Sequence, residues 1–190
     1  DGPRILKIGS QLPDPYDEVL DASGMFIYPG LINTHHHFFQ TFVRNLKTID
    51  ISANHPTYQL QDDVLYSKDG TELFLYPAGK TGTSFTVPDG VKTISDGAFF
   101  AAPLQSVTLP EGLEWIGSGA FDYCTSLTNI TIPESVTVIQ DHAFSDCESL
   151  SSVLFAGDEE ATDNALQIGS YAFFCCEQLM DVTLPKRVTQ

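Results

Sequence analysis

The chain has 190 residues, and its 9 Lys and Arg face 25 Asp and Glu, for a formal net charge of −16 at neutral pH. That balance disfavours nucleic-acid phosphates and anionic membranes as partners, and no stretch approaches the ~18 apolar residues that a membrane-spanning helix needs. The excess is concentrated in residues 46–190, which hold 6 basic against 20 acidic side chains, while residues 1–45 hold 3 against 5.

From the start of the chain, apolar clusters at Ile5-Leu6 with Ile8, Val19-Leu20 and Met25-Phe26-Ile27 lead to Pro29-Gly-Leu-Ile-Asn-Thr34-His35-His36-His37. At the end of a strand, imidazoles two positions apart face the same side and can share one metal. The stretch resembles the opening metal motif of the amidohydrolase superfamily. Its flanks, Asp21-Ala-Ser-Gly24 and Phe38-Phe-Gln-Thr-Phe-Val-Arg44-Asn45, are similar to the branch that deaminates or dechlorinates purine-like and triazine rings. The resemblance implies metal ligation by His35 and His37 at the end of a first barrel strand, with the preceding apolar clusters forming a small β-domain. It stops near Asn45. A catalytic site of this type needs a third ligand and a base from later barrel strands, and the later histidines, His55 and His142, stand in no such motif. Residues 1–45 therefore read as an incomplete, inactive amidohydrolase-like fragment. Domain boundaries usually fall in Pro-, Gly- or polar-rich connectors; the abrupt join at 45/46 points to a chimeric or fused chain, or to a recombined protein that reuses the first segment as a cap.

At Leu46 a different frame begins. Leu46-Lys-Thr-Ile49-Asp-Ile51 has the form Leu-x-x-apolar-x-apolar, which returns at Leu104, Leu127, Leu150 and Leu179. Next, Val64-Leu-Tyr-Ser-Lys-Asp69-Gly70-Thr-Glu-Leu73-Phe-Leu-Tyr-Pro77 alternates apolar and polar residues about Asp69-Gly70, which predicts a hairpin unit at about 57–82 closed by a type I′ turn. Beyond it the copies align. Leu104-Gln-Ser-Val107-Thr-Leu109-Pro110 matches Leu127-Thr-Asn-Ile130-Thr-Ile132-Pro133 and Leu179-Met-Asp-Val182-Thr-Leu184-Pro185, with Gly82-Thr-Ser-Phe85-Thr-Val87-Pro88 as a weaker first member.

Counting from each Pro, an apolar residue falls at +3 (Val91, Leu113, Val136) and Ile at +6 (Ile94, Ile116, Ile139). Ala-Phe follows at +10 and +11 (Ala98-Phe99, Ala120-Phe121, Ala143-Phe144), then Ala102, Cys124 or Cys147 at +14. A longer copy replaces the Pro by Ala156, carries six extra residues, and resumes at Ile168, Ala172-Phe173 and Cys176. Periods of about 20 to 29 residues with this frame define a leucine-rich-repeat solenoid. The alternate residues of each short strand point inward, the intervening Thr108, Thr131 and Thr183 point outward, and the Pro ends strand pairing by removing a donor. No coil buries its apolar face alone, so stability is a sum of neighbour terms.

The repeat Ile-x-Ile-Pro-x-x-Val-x-x-Ile-x-x-x-Ala-Phe-x-x-Cys resembles the BspA-like leucine-rich repeats, and the hairpin resembles a unit interspersed in that family. The resemblance covers about residues 46–190. It implies a mainly β solenoid at a cell surface or outside the cell, binding protein or glycan, with no catalytic residues to carry over.

Cys124, Cys147 and Cys176 share one repeat position and form a ladder about 4.7–4.9 Å apart. That spacing lies within disulfide range, but equivalent side chains run parallel, which predicts buried free thiols; Cys175 is expected to turn outward. The acidic stretch Gly157-Asp-Glu-Glu-Ala-Thr-Asp-Asn164 lacks the frame of a calcium loop and reads as a solvated loop, and Asn129-Ile-Thr131 is a glycosylation sequon in form.

The resulting expectation is a non-catalytic surface or secreted adhesion module that recognises protein or glycan, with no nucleic-acid partner and no membrane insertion. Its contact surface is the strand face of Ser106, Thr108, Asn129, Thr131, Ser152, Asp181 and Thr183. The alternative is the truncated start of a metal-dependent deaminase-like enzyme. No cofactor is expected apart from a divalent metal at His35 and His37.

Overall fold

The computed structural model describes residues 20–21, 26–27, 48–52, 54–157 and 164–189. Among them the regular elements are all short strands. Strands β1 (Leu20–Asp21) and β2 (Phe26–Ile27) form an antiparallel pair, where the sequence places two of its apolar clusters.

Strands β3 (Tyr58–Gln61), β4 (Val64–Ser67) and β5 (Glu72–Leu75) form an antiparallel meander. It replaces the simple hairpin expected over about 57–82. The turn chemistry also differs from expectation. Asp62 and Asp63, with φ of 50° and 60°, close β3 onto β4, so the two-residue turn with both φ positive, the mark of type I′, lies there. At Asp69-Gly70 only Gly70 is left-handed (φ 76°). There Asp69 Oδ1 accepts hydrogen bonds from Ser67 Oγ (2.6 Å), Thr71 Oγ1 (2.8 Å) and Thr71 N–H (3.1 Å), an Asx-type loop. Those bonds hold the Asp69 carboxyl down at about 2. Of the Leu46–Ile51 frame, the described residues form no extended strand: Ile51 makes a single β-bridge, and Ile49 is buried with Leu65, Leu75 and Phe100.

The solenoid then winds through β6 (Ser84–Thr86), β7 (Thr93–Ile94), β8 (Ser106–Thr108), β9 (Trp115–Ile116), β10 (Asn129–Ile132), β11 (Val138–Ile139), β12 (Ser152–Phe155), β13 (Leu166–Ile168) and β14 (Val188–Thr189). One parallel sheet has the order β12-β10-β8-β6; the other runs β14-β13-β11-β9-β7 and continues through β5 into the meander, eight strands in all. Pairing is in register with the repeat, as in Phe85 with Val107 and Ile116 with Ile139. The meander thus covers one end of the coil stack by sheet continuation, β5 running parallel to β7.

A third side closes each coil without strands. Phe99, Phe121 and Phe144 each donate their N–H to the Ala of the next coil, at 2.7, 2.7 and 2.8 Å, and Gly97, Gly119 and His142 do likewise to residues 118, 141 and 170 at 2.9, 3.0 and 3.0 Å. The alternate N–H groups turn back within the coil, as in Ala98 N–H to Ser95 O and Phe100 N–H to Gly97 O. Two left-handed residues per coil make this possible: Gly97 and Ala101, Gly119 and Tyr123, His142 and Asp146, Tyr171 and Cys175. The backbone is therefore satisfied on all three sides, as burial demands.

Inside, the columns behave as the repeat predicts. Phe99 stacks on Phe121 (4.8 Å, 5°), Phe121 on Phe144 (4.9 Å, 3°) and Phe144 on Phe173 (5.3 Å, 4°). Full burial of such a ring contributes about 1.5–3 kcal/mol, and stacking adds about 0.5–1.5. Neighbouring coils also key together through an alternation absent from the consensus. Asp96 and Asp141 each accept the N–H of the serine in the next coil, Ser118 and Ser170, at 2.7 Å. That approach requires Gly117 and Gly169, where an added Cβ would sit 2.6 Å and 2.5 Å from the Asp backbone nitrogen.

The last expected strand is not in the sheet. Residues 179–185 carry the repeat sequence but no strand pairing, and Val182 and Leu184 are 37% and 55% exposed. Among the described residues no further coil covers this segment. The expected loop at 157–164 falls mostly outside the described residues.

Candidate functional site

The strand face expected to make contacts is built by β6, β8, β10 and β12. Their inward residues, Val107, Ile130 and Val153, are buried, which forces the alternate residues outward. Register then aligns two columns: Ser84, Ser106, Asn129 and Ser152, and beside it Thr86, Thr108, Thr131 and Leu154. Of the expected residues, Ser106, Thr108, Asn129, Thr131 and Ser152 come together on one sheet face. Asp181 and Thr183 are exposed but lie on the unpaired segment, outside the sheet. Ser84, Thr86 and Leu154 complete the columns and were not among the expected residues; the weaker frame Gly82-Thr-Ser-Phe85-Thr-Val87 was the signal for the first two.

The face carries hydroxyls, one amide, the exposed apolar Leu154 at its edge, and no charge. A third column next to it is stitched to the backbone: Thr128 Oγ1 donates to Gln105 O and Ser151 Oγ to Thr128 O, each at 3.1 Å, and Asn129 Nδ2 donates to Thr128 Oγ1 at 3.0 Å. These bonds fix the surface, whose outer hydroxyls present both donors and acceptors.

Nucleophilic and metal chemistry have little footing elsewhere among the described residues. All four cysteines are free, as expected. Cys124, Cys147 and Cys176 donate S–H to the carbonyls of Phe99, Phe121 and Phe144 in the preceding coils at 3.0, 3.2 and 3.1 Å. Burial pushes Cys124 up to about 12 and Cys176 to about 11, against a small lowering from backbone hydrogen bonds, and raises Cys147 as well. Thiols so held are poor nucleophiles. Cys175 is exposed, and desolvation together with the carboxylates of Asp146 and Glu177 raises it too. Buried His55 is structural, its Nδ1 accepting N–H groups from Tyr58 (3.0 Å) and Thr57 (3.2 Å) and its ring stacking on Tyr58 at 4.9 Å. No group of three or more His, Cys, Asp or Glu among the described residues is placed to hold a metal ion; His35 and His37 lie outside them.

Fold and site together define a leucine-rich β-solenoid with a polar, uncharged strand face. The chain belongs to the BspA type leucine rich repeat family, whose pattern matches residues 76–190 in six copies. Among solved structures it is similar to the T. pallidum leucine rich repeat protein, at 30% identity and a TM-score of 0.55, covering 73% of this chain and 62% of that one. A leucine rich cell surface protein from Faecalibacterium prausnitzii A2-165 is also 30% identical, with a TM-score of 0.48, covering 70% of this chain and 40% of that one. Separately, 33 residues, 17% of this chain, are 67% identical to hydroxydechloroatrazine ethylaminohydrolase of Pseudomonas sp. (strain ADP), covering 7% of that enzyme. The chain thus spans less than two thirds of each of these relatives.

Proposed function

We propose that this chain is a non-catalytic adhesion module, extracellular or at the cell surface, that recognises protein or glycan through the columns Ser84–Ser106–Asn129–Ser152 and Thr86–Thr108–Thr131. The observation that carries this reading is the uncharged hydrogen-bonding array that β6, β8, β10 and β12 hold in register on one sheet face. Family membership supports the same reading. No helix among the described residues is long and apolar enough to cross a membrane.

The test is to screen the chain on a glycan array and on cultured cell monolayers, comparing it with Thr108→Arg/Thr131→Arg and with Gln167→Arg on the other sheet. The double variant should lose binding and the control keep it. Equal binding by all three, or none by the unaltered chain, contradicts the assignment.

A second reading concerns residues 1–45. The 33-residue match favours descent from an amidohydrolase start, with His35 and His37 as adventitious divalent-metal ligands and the domains divided at 45/46. Two imidazoles alone fit a weak binder. Zinc titration of the chain and of His35→Ala/His37→Ala tests this; identical zinc uptake by both removes the metal assignment.

A further inference from the structure

The turn side of the solenoid carries a second feature. The left-handed position nine residues after each strand-ending Pro is Gly97 and Gly119 in the first two coils, then His142 (φ 56°), with Tyr171 (φ 57°) equivalent in the longer coil. A bulky residue in that backbone region is strained where glycine is not. Burial gives no compensation, since His142 is exposed and Tyr171 is 64% exposed. The two rings stack at 5.3 Å and 15°, and Phe174, 50% exposed, meets Tyr171 edge-on at 5.6 Å. Exposed aromatics gathered in one cluster are a surface suited to a ligand.

Charge defines that ligand. Asp141 directly precedes His142 and accepts the N–H of Ser170, next to Tyr171, at 2.7 Å. Asp146 donates its N–H to Phe174 O at 2.8 Å, and Asp146, Glu148 and Glu177 all act electrostatically on Cys175, the neighbour of Phe174. From Thr93 to Pro185 the sequence contains no Lys or Arg to neutralise them. Aromatic faces attract cations through the ring quadrupole, and adjacent carboxylates add to that attraction. We infer that His142, Tyr171 and Phe174, with Asp141, Asp146 and Glu148, form a docking site for Lys or Arg side chains of a basic protein segment, on a different side of the coil from the strand face.

The probes are fluorescent octa-arginine and octalysine, with a neutral Gly-Ser octapeptide as control, titrated against the full chain by anisotropy at physiological salt. The variant Tyr171→Gly/Phe174→Ser places at 171 the residue type of the first two coils and should fold with a melting temperature no lower than that of the parent. It should bind the basic peptides about tenfold more weakly, and Asp146→Asn/Glu148→Gln should show a similar loss. The remote set Asp89→Asn/Glu111→Gln should change affinity less than about twofold, by screening. Equal weakening by the remote set and the aromatic variant would mean diffuse attraction to an acidic protein and overturn the site, as would failure of the unaltered chain to bind either basic peptide. Loss of peptide binding with the strand-face ligands retained separates this site from the adhesion face.

Discussion

Coil three and coil four carry the same repeat frame and end up differently. Phe144, Cys147 and Leu150 of the third are fully buried, whereas Phe173 and Cys176 of the fourth are half-buried and Val182 and Leu184 face solvent. The residue types are the same; the number of neighbouring coils differs. Burial in this fold is conferred by the adjacent coil rather than by the coil's own sequence. That leaves the outward columns free to vary, which is how one scaffold carries a hydroxyl face on one side and an aromatic, acidic cluster on another.

The comparison is sharpest in the phenylalanine column. Phe144→Ala removes a ring stacked on both sides and should cost about 3–5 kcal/mol in a denaturant melt. Phe173→Ala, stacked on Phe144 alone, should cost about half as much. Equal costs would show that the fourth coil is as well supported as the third.

Coil keying gives a smaller effect. Gly117→Ala drives a Cβ into the Asp96 backbone and should cost about 1–3 kcal/mol, while Gly112→Ala, whose nearest neighbour is the Asp89 carbonyl at 3.8 Å, should lie within about 0.5 kcal/mol of the parent. If both are neutral in a thermal melt, the close approach of Asp96 to the second coil is not tight.

The smallest effect is on pH dependence. The folded chain holds the Cys124 proton to about 12 and the Cys176 proton to about 11, whereas the ordinary thiol value is 9.0. A raised folded pKa contributes stability that is present below about 9 and lost as pH rises toward 11–12; buried Tyr66, raised to about 12 from 10.0, acts in the same direction. Denaturation midpoints should be flat near neutrality and fall above about pH 9, and Cys124→Ala/Cys147→Ala should be less stable at neutral pH but flatter in that range. An equal alkaline fall in the double variant would assign the effect to other groups.

The sequence discloses the interior well because each column repeats one residue type at one offset, from Ile94 to Ile139 and from Phe99 to Phe173. It discloses the turn side poorly. The slot holding Gly97, Gly119, His142 and Tyr171 looks variable until its shared left-handed backbone is seen, because residue type alone does not report φ. The type I′ turn falls at Asp62-Asp63, and the apparent signal at Asp69-Gly70 is taken over by the Asp69 carboxylate. The strand face was legible as far as Ser152; Asp181 and Thr183 carry the repeat frame on a segment that pairs with no strand, because residue type alone does not report whether a neighbouring strand is there to receive it.

Native-state hydrogen exchange tests mutual support between coils most directly. The amides of Phe99, Phe121 and Phe144 bond across to the next coil, while those of Phe174 and Cys176 make only local turns to Tyr171 and Phe173 at 3.0 and 3.4 Å. The Phe121 and Phe144 amides should exchange only through global unfolding, and the Phe174 and Cys176 amides through local opening several kcal/mol lower, at about 1–3. Equal protection across the two sets, or faster exchange at Phe121 than at Phe174, would contradict a stack held together by its neighbours.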